Sequence, residues 1–254
     1  MRFSSKNASP VPREPIHSQV PQLQDAEIAA IYYGQRLAGD FYDFVRAGQT
    51  RLLFGLLDVA GQHDDNRAVI TAAQQTFRSL AEKLFEPEDI NETNAMIELS
   101  VQLNRTIMRA EGGVRACPAF AGCYNEALGT VCYFNAGHTP GMVRDSTGVV
   151  ELPATGLPLG LFSHMTCDAP MVALEPGATL LLVSRGVVES KYKGEEFGLA
   201  RVKKLFQTTD SEAAKDICVD VVQSVQQFMH TPPTHDDVTA LALGRAARAA
   251  AART

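Results

Sequence analysis

Carboxylates at the borders of apolar strands are the residues of this 254-residue chain best suited to chemistry. Asp40 and Asp43 surround an aromatic pair, Asp58 ends the run Leu-Leu-Phe-Gly-Leu-Leu, and Asp236-Asp237 open the last apolar segment. Oxygen ligands drawn from three distant stretches to one sheet edge are what a hard cation such as Mg²⁺ or Mn²⁺ requires. Two such cations bridged by one carboxylate acidify a water and neutralise a phosphate under attack, which points to a phosphoester as substrate. The plainer reading of the same residues is a set of solvated turn acids, which are common on protein surfaces.

The elements that must position these acids follow from hydrophobic periodicity. AAIYYG, FYDFVRAG and RLLFGLLDV read as adjacent antiparallel strands bounded by glycine or charge. Val69, Ala73, Phe77, Leu80 and Leu84 recur at helical spacing behind an acidic start, and Met96, Leu99, Leu103 and Ile107 repeat the pattern up to a Gly112-Gly113 stop. Strand character returns in AFAGCYNE, TVCYFNAG, GMVRD, GVVEL, MVALE and ATLLLVS. A final helix is predicted to start at Thr209, with Glu212 completing a capping box, and to bury Ile217, Val221, Val225 and Phe228 before Pro232-Pro233 end it. DDVTALALG closes the sheet. The order gives an α+β fold, a β-sandwich of mainly antiparallel sheets flanked by helices.

Composition narrows the function classes. With 23 Lys plus Arg against 29 Asp plus Glu, the net charge of -6 opposes general affinity for phosphate backbones, so no nucleic-acid partner is expected. No run reaches the roughly 18 apolar residues of a membrane span, and the polar start lacks the apolar stretch of a signal peptide, which predicts a cytoplasmic protein without a membrane partner. Five cysteines, odd in number and without a Cys-x-x-Cys pair, read as reduced, buried small hydrophobes. Residues 1–24, rich in Pro, Ser and Gln, read as a disordered arm, 25–244 as one domain, and 245–254 as an Ala/Arg tail.

Five short motifs, in order, carry a resemblance. Ala38-Gly39-Asp40-Phe41-Tyr42-Asp43-Phe44, Asp58-Val59-Ala60-Gly61, Asn135-Ala136-Gly137-His138-Thr139-Pro140, Gly156-Leu157-Pro158-Leu159-Gly160 and His235-Asp236-Asp237-Val238-Thr239 resemble the metal-dependent protein phosphatases (PPM, type 2C), in their SpoIIE-like bacterial branch. The resemblance implies two Mn²⁺ or Mg²⁺ ions that activate a water for direct attack on phosphoserine or phosphothreonine, without a phosphoenzyme. By position it makes Asp40 the acid near the second metal, Asp58 the bridging ligand, Val59 the donor of a backbone carbonyl and Asp236 a ligand of the first metal, with Asp237 in support. Asp40, Asp58 and Asp236 are thus the catalytic set. The partner implied is a phosphorylated bacterial regulatory protein of the anti-sigma-factor-antagonist type, and a homodimer through helical surfaces is compatible with the branch.

Two departures bear on activity. Where the family carries Thr-Asp-Gly, this chain has Ser184-Arg185-Gly186, so a guanidinium replaces a carboxylate of the first metal. Unit charges 4 Å apart at an effective dielectric of 20 interact by about 4 kcal/mol, enough to weaken or empty that metal site. Arg185 could instead hold the substrate phosphate; its bland alternatives are solvent or a pair with Asp236. Glu189 is expected to pair with Arg185 or Lys191. The second departure is Gly61-Gln62-His63, which lacks a family glycine and leaves His63 as a surface-loop residue. His138 is expected to hydrogen-bond within its turn, and the leucines at 157 and 159 to pack beneath the sheet. The leading reading is a metal-dependent serine/threonine phosphatase. Its rival is a pseudophosphatase that binds a phosphoprotein through an impaired metal centre, and hydrolysis of a small phosphorylated metabolite is a third, unsupported by any P-loop.

Overall fold

The computed structural model describes residues 19–33, 39–59, 63–110, 116–230 and 237–247. Three strands open the fold, β1 (Ala26–Tyr33), β2 (Gly39–Ala47) and β3 (Arg51–Val59), followed by helices α1 (His63–Phe85) and α2 (Glu92–Arg109). Then come β4 (Ala119–Asn125), β5 (Thr130–Ala136), β6 (Gly141–Asp145), β7 (Gly148–Leu152), β8 (Met171–Ala173) and β9 (Thr179–Val183). The short helix α3 (Arg185–Glu189), a small hairpin of β10 (Lys191–Tyr192) and β11 (Glu195–Glu196), helices α4 (Gly198–Thr208) and α5 (Ala214–Met229), and β12 (Val238–Arg245) complete it.

Two five-stranded antiparallel sheets, ordered β1-β12-β9-β6-β7 and β2-β3-β4-β5-β8, pack face to face. Strand alternation decides what each face meets. Along β3, Leu52, Phe54 and Leu56 enter the core between the sheets, while Leu53, Leu57 and Val59 pack under α1 and α2. Along β9 and β12, Leu180, Leu182, Leu241 and Leu243 face the other sheet, and Leu181, Val183, Ala240 and Ala242 face α4 and α5. The result is the expected α+β sandwich with a helical layer on each side. Close sheet packing needs a glycine at 122, where a Cβ would lie 2.4 Å from the Phe54 ring. All five cysteines are free and buried. No helix among the described residues is long and apolar enough to cross a membrane.

The start of the last long helix differs from expectation. α5 begins at Ala214 rather than at Thr209, and α4 precedes it as a separate helix. The Thr209 hydroxyl bonds Asp220 Oδ2 at 2.7 Å instead of capping, and the Ala214 amide is satisfied by Glu27 of β1. A tertiary carboxylate therefore replaces the local capping box. Of the two leucines in the 157–160 turn only Leu159 is buried, exchanging backbone bonds of 2.8 and 3.0 Å with Cys117, while Leu157 stays exposed. Gly112-Gly113 and Pro232-Pro233, the predicted helix stops, lie outside the described residues.

Candidate functional site

Asp40 and Asp58 are direct cross-strand partners at the open end of the β2–β3 pair. Parity puts both on the face that meets the other sheet, in line with Tyr42 and Phe44 on β2 and with Leu56 on β3. Like charges directly opposite each other in a sheet are destabilising, so this pair is an expense of the fold rather than a contribution to it. Asp43, three residues along β2, points the other way. Its buried carboxylate is forked by Arg78 of α1, Nε at 2.7 Å and Nη2 at 2.9 Å, and accepts from Gln74 at 3.1 Å. That removes Asp43 from the cluster of strand-end acids and makes it a tie between helix and sheet.

The opposing sheet supplies the rest of the site, from positions of the same inward parity. Thr239 of β12 donates its hydroxyl to Asp40 Oδ2 at 2.8 Å. The Ser184 hydroxyl, after β9, bonds both the Asp237 carbonyl at 3.2 Å and the Thr239 amide at 3.1 Å, and also reaches the Asp40 carboxyl. Asp237 is buried beside them. Enclosure and the facing Asp58 charge, with a smaller repulsion from Asp237, push the Asp40 carboxyl up to about 8, against the Ser184 and Thr239 bonds that favour its ionised form.

Arg185, the first residue of α3, stands at this pair. Its Nε is 3.2 Å from Asp58 Oδ2 and 4.0 Å from Glu189 Oε2 one turn on. Arg185 engages Asp58 rather than turning wholly to solvent, and its other expected partner, Asp236, lies outside the described residues; Lys191 pairs with Glu196 at 3.1 Å and leaves Glu189 to the arginine. A cleft of about 330 Å³ opens over them, lined by Asp58, His138, Pro140, Arg185 and Glu189 among others. His138 is fixed in its turn as expected, its amide on Asn135 Oδ1 at 2.8 Å and its Nδ1 at 3.0 Å from the Thr139 carbonyl. Burial holds that imidazole down to about 4, neutral at physiological pH, and its Nε2 meets no partner among the described residues.

Of the predicted site residues, the fold thus brings together Asp40, Asp58, Asp237 and Arg185. Val59 adjoins them, with its carbonyl accepting the buried Asn66 amide at 2.9 Å. Asp236 and the sequence at 60–62 lie outside the described residues. Among the described residues no group of three or more His, Cys, Asp or Glu side chains could hold a metal ion. The pair itself has the right donor chemistry: two enclosed carboxylates, one of which is driven by burial and by its neighbour's charge to hold a proton more tightly. Thr239, the last residue of its motif, and Ser184, beside Arg185, carry no role in the sequence reading, although both stand at inward parity; Asn66 left no signal beyond its place in a helix.

Known proteins share the sequence pattern and the fold of this chain. The chain is 26% identical over 252 residues to Protein IcfG of Synechocystis sp., covering 89% of this chain and 39% of IcfG. It is 27% identical over 172 residues to the phosphoserine phosphatase RsbP of Bacillus subtilis, covering 66% of this chain and 41% of RsbP. It spans about two fifths of the length of these curated relatives. The PP2C phosphatase domain of the cell fate determinant SpoIIE from Bacillus subtilis, solved with a fragment of its regulatory domain, superposes with a TM-score of 0.71 at 16% identity, over 87% of this chain and 63% of that one. Residues 48–246 match the family Stage II sporulation protein E (SpoIIE), and the chain belongs to that family of PP2C-type phosphatases.

Proposed function

We propose that the chain is a metal-dependent protein serine/threonine phosphatase acting on a phosphorylated bacterial regulatory protein in the cytoplasm. The observation that carries this reading is the inward-facing Asp40–Asp58 pair, two carboxylates kept opposite each other at the mouth of a cleft at a cost to stability. In this reading Asp40, Asp58 and the Val59 carbonyl, joined by Asp236, hold Mn²⁺ or Mg²⁺. Such an ion, when bound, supplies positive charge to a phosphoryl group and acidifies water. The protein's own groups do the remaining work. Thr239 and Ser184 orient the Asp40 carboxyl, Asn66 fixes the direction of the Val59 carbonyl, and Arg185 offers a planar fork to phosphoryl oxygens. The neutral His138 excludes a competing positive charge from the cleft wall.

The test is hydrolysis of a phosphoserine peptide, and of p-nitrophenyl phosphate, with and without Mn²⁺. Asp58→Asn should abolish the Mn²⁺-stimulated part; turnover equal to that of the unaltered chain would remove the metal mechanism. The 3.2 Å Arg185–Asp58 pair favours a second reading, a pseudophosphatase that binds a phosphoprotein without cleaving it. Phosphopeptide binding with no Mn²⁺-dependent turnover would select that alternative.

A further inference from the structure

An ion pair in the cleft engages the same carboxylate that a divalent cation needs. Arg185 already neutralises Asp58, and a metal ion arriving there meets a like charge. The molecule contains a pair built to stay for comparison: Arg78 forks Asp43 at 2.7 and 2.9 Å, with Gln74 adding a third bond. The Arg185 contact is longer, at 3.2 Å, and its side chain is 42% exposed against 31% for Arg78. It hangs from the first residue of a five-residue helix, beside a cleft with room for a phosphoryl group, and Glu189 offers another anion one turn away.

We propose that Arg185 has two positions, on Asp58 when the cleft holds no phosphate and on the phosphoryl oxygens when it does, so that a phosphomonoester releases Asp58 and raises the affinity for the divalent cation. The guanidinium prefers the phosphoryl group because that group carries more charge than one carboxylate and matches its fork. The coupling is reciprocal: a cation on Asp58 pushes Arg185 towards phosphate by the same factor. The proposal rests on the phosphatase reading for the kind of anion, and not on turnover.

The experiment measures Mn²⁺ binding by the electron paramagnetic resonance signal of the free ion, for the full chain and for Arg185→Ala, with and without O-phosphoserine, against protein-free controls. Without phosphoserine the variant should bind Mn²⁺ at least about tenfold more tightly than the unaltered chain; at saturating phosphoserine the two should agree within about twofold. A gap that phosphoserine leaves unchanged marks Arg185 as a static charge and overturns the proposal. So does a variant that binds no more tightly than the unaltered chain in the absence of phosphoserine, or that takes up no Mn²⁺. Arg185→Lys, which keeps the charge without the fork, should retain weak binding and recover less of it with phosphoserine. Parallel assay of phosphoserine peptide hydrolysis separates the claims. Converging affinities without turnover uphold the two positions and remove the phosphatase reading, whereas turnover with a constant gap does the reverse.

Discussion

A carboxyl whose proton affinity is raised by burial and by a second carboxylate binds its proton more tightly in the folded protein than in the unfolded chain. For Asp40 the ordinary value of 3.8 rises to about 8. The sign follows by linkage: its contribution to stability is complete below the unfolded value and is lost as pH rises through the folded one. In EDTA, the melting temperature should therefore fall between about pH 4 and pH 8, and Asp40→Asn should flatten that slope; thermal unfolding followed by circular dichroism checks both, and an equal slope in the variant would show that another group is responsible. Arg185 belongs to the same scale. Arg185→Asp restores a carboxylate beside Asp58 and should raise Mn²⁺ affinity, while loss of the phosphate-binding fork should raise KM for a phosphoserine peptide. Titration calorimetry and steady-state kinetics check the two separately, and an unchanged KM would remove Arg185 from the phosphate site. Single residue types announced much of this site: Asp58 at the end of an apolar run and the charge reversal at 185 are both visible in the chain. Their meeting was not, because no local rule places the start of α3 against the end of β3.

At the scale of elements, the Asp43–Arg78 fork sets how α1 sits on β2, three residues from Asp40. Asp43 is 3% exposed, so removing its partner leaves a buried charge uncompensated. Arg78→Met should destabilise the protein by about 3 kcal/mol, the low end for a broken buried pair because Arg78 itself is partly exposed; urea unfolding measures it, and a change below about 0.5 kcal/mol would reduce the fork to a surface ion pair. Asp43 also shows what sequence reading resolves and what it misses. The strands were legible because β3 and β9 are apolar on both faces and β12 nearly so, and α1 and α2 because their apolar residues recur at helical spacing. Yet grouping Asp40 with Asp43 ignored that an odd separation on a strand sends two side chains to opposite faces. The Thr209 capping box failed for a different reason: its competitor, Glu27, lies 187 residues from the amide it caps. α3 and α4 are short and bury few residues, Gly186 and Val187 in one and Val202 and Phe206 in the other, so periodicity had little to register.

For the whole molecule, the site is a property of the closed sandwich. Asp40 and Asp58 come from one sheet, and Thr239, Ser184 and Arg185 from or beside the other, so neither sheet alone holds the constellation. A cation bound there stabilises only the docked pair of sheets, and it should shift the main unfolding transition rather than a local one. Its effect must also depend on pH, because the ion competes with the proton on Asp40. Well below about 8 each pH unit then weakens apparent binding by about tenfold, and from pH 8, where half the sites carry the proton, to pH 6 the loss is about fiftyfold. Mn²⁺ at a hundred times its apparent dissociation constant at pH 8 stabilises by about 2.7 kcal/mol, and the same concentration at pH 6 by about 0.6 kcal/mol. For a domain of this size the first figure corresponds to a rise of roughly 5–10 °C in melting temperature and the second to roughly 1–3 °C. Differential scanning calorimetry at the two pH values reads both. Equal shifts would mean that the ion binds without displacing the Asp40 proton, and Asp40→Asn, which has no proton to displace, should lose the pH dependence along with most of the affinity.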